Sequence, residues 1–250
     1  VKVPPNYYYD DAHLIVDATG TSRAIHEDRR FDKFLHCKEY KAKIKGLDED
    51  YIYIYGRWFG YAWLFPLGDD VWHFGAGGYS KEQAEYLMFC LRETLGFNVE
   101  RPDCHCFTKI RYVRPGTLPL TNWITYTSSV PSTTYGNVLK SIPVVCIGES
   151  GGFVSGFGEG NVLAMETAKM LYDCLEWNYW MTDMALNCYR WTSLKNTEWV
   201  QKQHDFVESL QHGFWKAFRK ALEVKKIANW RSGKLSFWQA LKLLWIMTRW

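Results

Sequence analysis

The spacing of apolar residues divides the 250-residue chain into stretches of different period. AHLIVDATG, residues 12–20, is a short apolar run closed by Asp17, Thr19 and Gly20, which predicts a buried strand entering a turn. From residue 33 the period is two, clearest in YIYIYGRW at 51–58. GYAWLFP (60–66) and VWHFGAGG (71–78) continue it, and Gly68-Asp69-Asp70 between them predicts a turn, so the two read as a hairpin. The period then becomes helical. Ala84, Leu87, Met88, Leu91 and Leu95 share one face, Ser80 with Gln83 matches a capping box, and Gly96 stands where a C-terminal cap belongs. Residues 104–135 return to strand-like composition, with turn signals at Pro115-Gly116 and Pro119, and PVVCIG (143–148) reads as another buried strand. Residues 161–177 are helical by periodicity, as is nearly everything after about 180. This order predicts two domains that exchange the chain: 1–32 with 136–178, an antiparallel block with one helix at 33–135, and a helical region at 179–250.

Tyr61, Trp63 and Phe65 alternate along one strand and therefore point the same way, forming a wall of rings that stops at Pro66. Core filling and a binding wall both fit that pattern. Composition sharpens the question, because 13 Trp and 16 Tyr exceed ordinary usage, and such rings concentrate at interfaces and membrane boundaries. The net charge of +3 hides an asymmetry: Gly213–Trp250 holds nine Lys or Arg against Glu223 alone. That basic end predicts a helix over 214–228, with Phe214, Trp215, Phe218, Ala221 and Leu222 inward, and a second from Ser236-Gln239 to Trp250. The pair suits an anionic membrane surface rather than nucleic acid. No apolar run reaches the roughly 18 residues that span a bilayer. Seven cysteines show no disulfide framework, and Cys104-His105-Cys106 lacks a second ligand pair, so no metal is expected and the thiols read as reduced and cytosolic.

The richest stretch is GESGGFVSGFGEGN, residues 148–161, which follows a buried strand and opens a helix. Its glycines permit close backbone approach, and the helix start presents free N–H groups to a phosphate or an electron-rich heterocycle. Gly75-Ala76-Gly77-Gly78 is not a dinucleotide fingerprint: its third glycine would fall at Ser80, and a hairpin strand is the wrong context.

Three motifs in this order, DATG with Ser22-Arg23, GYAWLFP and GESGGFVSGFGEGN, resemble the flavin-dependent geranylgeranyl reductases. These belong to a larger group with aromatic hydroxylases and flavin halogenases. GYAWLFP is similar to the Y-x-W-x-F-P signature of the reductases; the other two motifs occur across the whole group. The resemblance implies an α+β or α/β fold in which part of a FAD-binding Rossmann-like domain (1–32 and 136–178) joins an antiparallel-sheet substrate domain (33–135) and a C-terminal helical region. It implies FAD contacts at Asp17, Gly20, Gly148, Glu149, Gly158, Gly160 and Asn161, with Glu149 at the acid position and Glu159 beside the helix start. Tyr61, Trp63, Phe65 and Pro66 would line an isoprenoid tunnel. Gly156 stands where the family carries proline, and the loop is one residue short. The family's G-x-G-x-x-G segment has no counterpart before DATG, so about a hundred residues are expected upstream or on another chain.

The implied activity is reduction of carbon–carbon double bonds in geranylgeranyl lipid chains. The electron donor would be a reduced nicotinamide, a deazaflavin or ferredoxin, and the place cytoplasmic, peripheral to the membrane. No catalytic residue is assigned; Tyr61 and Cys146 are the candidates for proton donor. Aromatic hydroxylation or halogenation is the alternative on the same cofactor, and a lipid-binding remnant the alternative without catalysis.

Overall fold

A computed structural model describes residues 12–25, 33–128, 138–156, 158, 160–179 and 181–228, together with Leu241, Trp245 and Thr248. The helix expected from Ser236 to Trp250 thus lies almost wholly outside the described residues, as does Glu159. The chain is mixed α/β, with two sheets and, among the described residues, five α-helices. The chain forms two compact units, one drawn from 1–33, 111–155 and 159–201, the other from 34–110, 156–158 and 202–250.

The first unit holds a mixed sheet in the order β1 (Ile15–Asp17), β8 (Val138–Cys146), β7 (Thr121–Ser128). β1 runs parallel to β8, with Asp17 opposite Cys146, and β7 runs antiparallel to it. Two helices follow, α2 (Asn161–Trp177) and α3 (Thr182–Asn196). Leu171, Cys174, Leu175, Ala185, Leu186 and Tyr189 bury their seam against Val145. A second cluster, Leu120, Phe153, Leu163 and Val200, holds the loop after β8.

The second unit is built on the sheet β3 (Tyr53–Arg57), β4 (Gly60–Gly68), β5 (Val71–Gly78), β2 (Phe34–Lys43), β6 (Glu100–Arg111), in that spatial order. β3 with β4, β4 with β5 and β5 with β2 are antiparallel. The β4–β5 turn forms where expected, because Gly68, Asp69 and Asp70 all adopt left-handed backbone, at φ 91°, 57° and 61°. A bulge lies between Pro66 and Gly68.

Helix α1 (Lys81–Leu95) starts with the predicted reciprocal bonds: Ser80 Oγ accepts from Gln83 N–H, and Gln83 Oε1 accepts from Ser80 N–H. It ends at Gly96 with φ 69°. Its face of Ala84, Leu87, Met88 and Leu91 packs on Ala62, Leu64, Trp72, Phe74 and Ala76. Each fully buried large side chain there contributes about 1.5–3 kcal/mol.

Helices α4 (Glu198–Leu210) and α5 (Phe214–Ala228) close the described chain. Among the described side chains of α5 the buried residue is Ala217, flanked by Phe214 and Phe218, while Trp215 is 78% exposed. This corrects the inward placement of Trp215: positions 214, 217, 218 and 221 share a helical stripe, and 215 lies about 100° away from 214. Among the described residues no helix is long and apolar enough to cross a membrane.

Candidate functional site

In the first unit the DATG turn folds around Asp17. Its Oδ1 accepts from the Thr19 N–H (3.0 Å) and hydroxyl (2.6 Å), and its Oδ2 accepts from Ile25 N–H at 3.3 Å. Thr19 Oγ1 in turn accepts from Ala24 N–H at 2.8 Å. These bonds make Asp17 the organiser of the turn, and the fully buried carboxylate faces inward. Gly20, at φ 61°, takes the backbone close to Glu149: an added Cβ would sit 3.5 Å from Glu149 Oε2. Arg23 is fully buried, adopts φ 44°, and donates to the Pro119 carbonyl at 2.9 Å.

Glu149 lies in a short 3-10 turn, Gly148–Gly151. Its Oε1 accepts from the Thr21 hydroxyl and the Arg111 N–H, both at 2.5 Å, and Arg111 Nη2 donates to the Thr21 carbonyl at 2.6 Å. One oxygen is thereby pinned by two donors. Among the described residues Glu149 Oε2 accepts no hydrogen bond, and the side chain is half-buried, so this oxygen is available to a ligand hydroxyl.

The glycine loop is only partly what its composition suggests. Gly148 N–H donates to Thr167 Oγ1 at 2.9 Å, and a Cβ at Gly148 would come within 2.9 Å of the Ala164 Cβ. The absence of a Cβ at Gly148 therefore makes room for α2. Further along, α2 begins at Asn161 with Gly160 as its N-cap, and no side chain caps it. Gly158 holds φ 88°, and an added Cβ at Gly160 would meet Val154 Cγ2 at 3.8 Å, an ordinary contact. In the second unit, a Cβ on Gly156 would meet the Gln203 backbone at 2.5 Å, so the position admits glycine alone without a shift.

Cys146 is fully buried, and burial pushes its thiol up to about 11, partly offset by Arg23. It stays protonated across the neutral range, and its carbonyl accepts from the Tyr189 hydroxyl at 2.9 Å.

The second unit carries the aromatic row. Ala62 and Leu64 point into the core under α1, so Tyr61, Trp63 and Phe65 occupy the opposite face of the sheet. Their rings follow one another at 5.5 and 6.1 Å. Register places Gly77, Gly75 and His73 beside them on β5, and Cys37, Glu39 and Lys41 beyond on β2. The Trp63 indole lies over Gly75, where a Cβ would stand 2.6 Å from the ring. Trp63 is 8% exposed, yet it joins none of the buried clusters, and its Nε1 is buried with no hydrogen-bond partner among the described residues. His73 turns its edge to Trp63 at 6.2 Å, and its Nε2 lies 3.1 Å from Glu39 Oε2. Pro66 pairs with Trp72 and falls on the core-facing register, not with the row.

The sequence pattern missed Thr21, Arg111, Thr167, Glu39 and His73. His73 alone had a local signal, since a turn at 68–70 sets Phe65 opposite 73. Among the described residues no group of three His, Cys, Asp or Glu could hold a metal ion.

No known family profile matches the chain. An uncharacterised protein of Methanocaldococcus jannaschii is 27% identical over 180 residues, 66% of this chain and 44% of that protein. A flavin-dependent halogenase from Xanthomonas campestris superposes at TM-score 0.54 with 10% identity, over 94% of this chain and 48% of the halogenase. The chain shares its fold with that halogenase. A geranylgeranyl bacteriochlorophyll reductase-like protein from Thermoplasma acidophilum superposes less closely, at TM-score 0.46 and 13% identity over 85% of this chain and 51% of that one. The chain therefore spans about half the length of the proteins it matches.

Proposed function

We propose that the complete protein is a flavin-dependent reductase that adds hydrogen across carbon–carbon double bonds of isoprenoid lipid chains. The observation that carries this reading is the row Tyr61–Trp63–Phe65, laid along the face of the sheet opposite α1, with Trp63 buried and Tyr61 and Phe65 half-buried. A row of apolar rings beside Gly75 and Gly77 suits a long polyene chain.

The residues present fit a flavin. Glu149 Oε2 is a fixed acceptor for a ribityl hydroxyl, and the uncapped start of α2, reached through Gly158 and Gly160, suits an electron-rich ring edge. When bound, reduced FAD supplies the hydride. The chain's own part is to hold the lipid flat, exclude water and furnish the proton that completes the addition. His73, oriented by Glu39 at the edge of the row, is the group we assign to that proton. Electrons would come from a reduced nicotinamide, deazaflavin or ferredoxin. The basic α5, with Trp215 exposed, would rest on a membrane surface from the cytoplasmic side.

A halogenase or hydroxylase is the second reading, favoured by the fold shared with the Xanthomonas enzyme. Full-length protein loaded with FAD, reduced without oxygen and given a geranylgeranyl ether lipid decides between them. Gain of two hydrogens per double bond, read by mass, supports reduction. Oxygen or halide incorporation under air, with no saturation, supports the second reading. A colourless protein that retains lipid unchanged leaves only lipid binding.

A further inference from the structure

A second chemistry-bearing pair lies in the seam between α2 and α3 of the first unit. Cys174, on the last turn of α2, is fully buried, and Cys188, within α3, is half-buried. Their sulfurs are 2.8 Å apart. Leu171, Leu175, Ala185, Leu186 and Tyr189 pack the two helices around them, so the approach is set by the fold and not by one mobile side chain. Neither thiol has a role in the proposed reductase chemistry.

We propose that Cys174 and Cys188 form a reversible dithiol–disulfide pair whose oxidation staples α2 to α3. The oxidant is a low-molecular-weight disulfide such as oxidised glutathione. The Cys188 sulfur attacks it, giving a mixed disulfide and releasing one glutathione, which carries away the proton lost by Cys188. The Cys174 sulfur then attacks the Cys188 sulfur, the protein disulfide forms, and a second glutathione leaves with the second proton. Two protein thiols are oxidised and one external disulfide is reduced to two thiols.

Burial assigns the order of the two steps. Cys188 is reachable from solvent, whereas Cys174 is sealed, and desolvation followed by its contact with Cys188 pushes the Cys174 thiol up to about 12. Such a thiol is a poor first nucleophile and reacts only with the sulfur already against it. The staple would bear on the end of β8, because Tyr189, the residue after Cys188, holds the Cys146 carbonyl.

The test uses the full-length protein, reduced and then equilibrated with oxidised glutathione, alkylated with N-ethylmaleimide and digested with trypsin. Both cysteines fall in one peptide, 170–190, because no Lys or Arg lies between them. The expected peptide has lost two hydrogens and carries no maleimide, and reduction before alkylation restores two labelled thiols. Cys174→Ala should stop at glutathione on Cys188, and Cys188→Ser, at a half-buried position, should leave Cys174 unmodified. A wild-type peptide labelled at both cysteines, or one that retains glutathione on Cys188, overturns the proposal.

Discussion

Gly75→Ala is the sharpest test of the aromatic face. A Cβ at 75 would stand 2.6 Å from Trp63 Cζ2, 2.8 Å from Cε2 and 2.9 Å from Glu39 Cβ. Trp63 has little room to yield: Tyr61 lies 5.5 Å away on one side, Phe65 6.1 Å on the other, and the His73 edge at 6.2 Å. Overpacking of this kind costs about 1–3 kcal/mol. Gly77, two residues on and facing the same way, is the control, since a Cβ there would meet Cys37 Sγ at 3.4 Å, an ordinary contact. Gly77→Ala is therefore expected to be neutral, or to gain up to about 0.5–1 kcal/mol from the stiffer unfolded chain. Urea unfolding of the full-length protein followed by circular dichroism measures the difference. Adding Trp63→Ala should relieve much of the Gly75→Ala penalty, a coupling of about 0.5–3 kcal/mol in a double-mutant cycle. Equal midpoints for the two alanine variants, or a penalty unchanged when Trp63 is removed, would refute the packing argument.

Glu149→Gln weakens the charge-assisted acceptance from Thr21 and Arg111 and is expected to cost about 1–3 kcal/mol, with a lower yield of bound flavin; urea midpoints and the absorbance of purified protein check both. Stability should decline at alkaline pH. The folded protein holds the Cys146 proton more tightly than the unfolded chain, so this contribution is complete below pH 9.0 and is lost as pH rises to about 11; thermal midpoints across that window, compared with Cys146→Ala, measure it. Gly156→Ala should destabilise by about 1–3 kcal/mol, because the Gln203 backbone 2.5 Å from the new Cβ has no rotamer through which to retreat; a chemical melt that matches wild type would overturn this.

Much of the fold was legible because its signals are local. The capping box at Ser80 and Gln83, the left-handed Gly96, the Gly68–Asp70 turn and the helix Asn161–Trp177 each depend on residues within a few positions of one another. Alternation likewise placed Tyr61, Trp63 and Phe65 on one face of β4. Trp215 shows the limit of that reasoning: an aromatic residue next to an apolar stripe is drawn inward by composition, while helical geometry leaves it in solvent.

Tertiary structure alone decided which face of β4 packs under α1, since a period of two separates the faces without saying which one the helix covers. It also decided what each glycine is for. Gly148 makes room for α2, Gly156 for α4, and Gly75 for an indole from the neighbouring strand; close packing was legible at Gly75, but not the neighbour it serves. The pairs on which the proposals rest, Glu149 with Arg111 and Glu39 with His73, are 38 and 34 residues apart, and Cys174 meets Cys188 across a helical hairpin. Local period and propensity are set by neighbours along the chain, whereas these contacts exist only once sheets and helices have packed and brought distant residues within bonding reach.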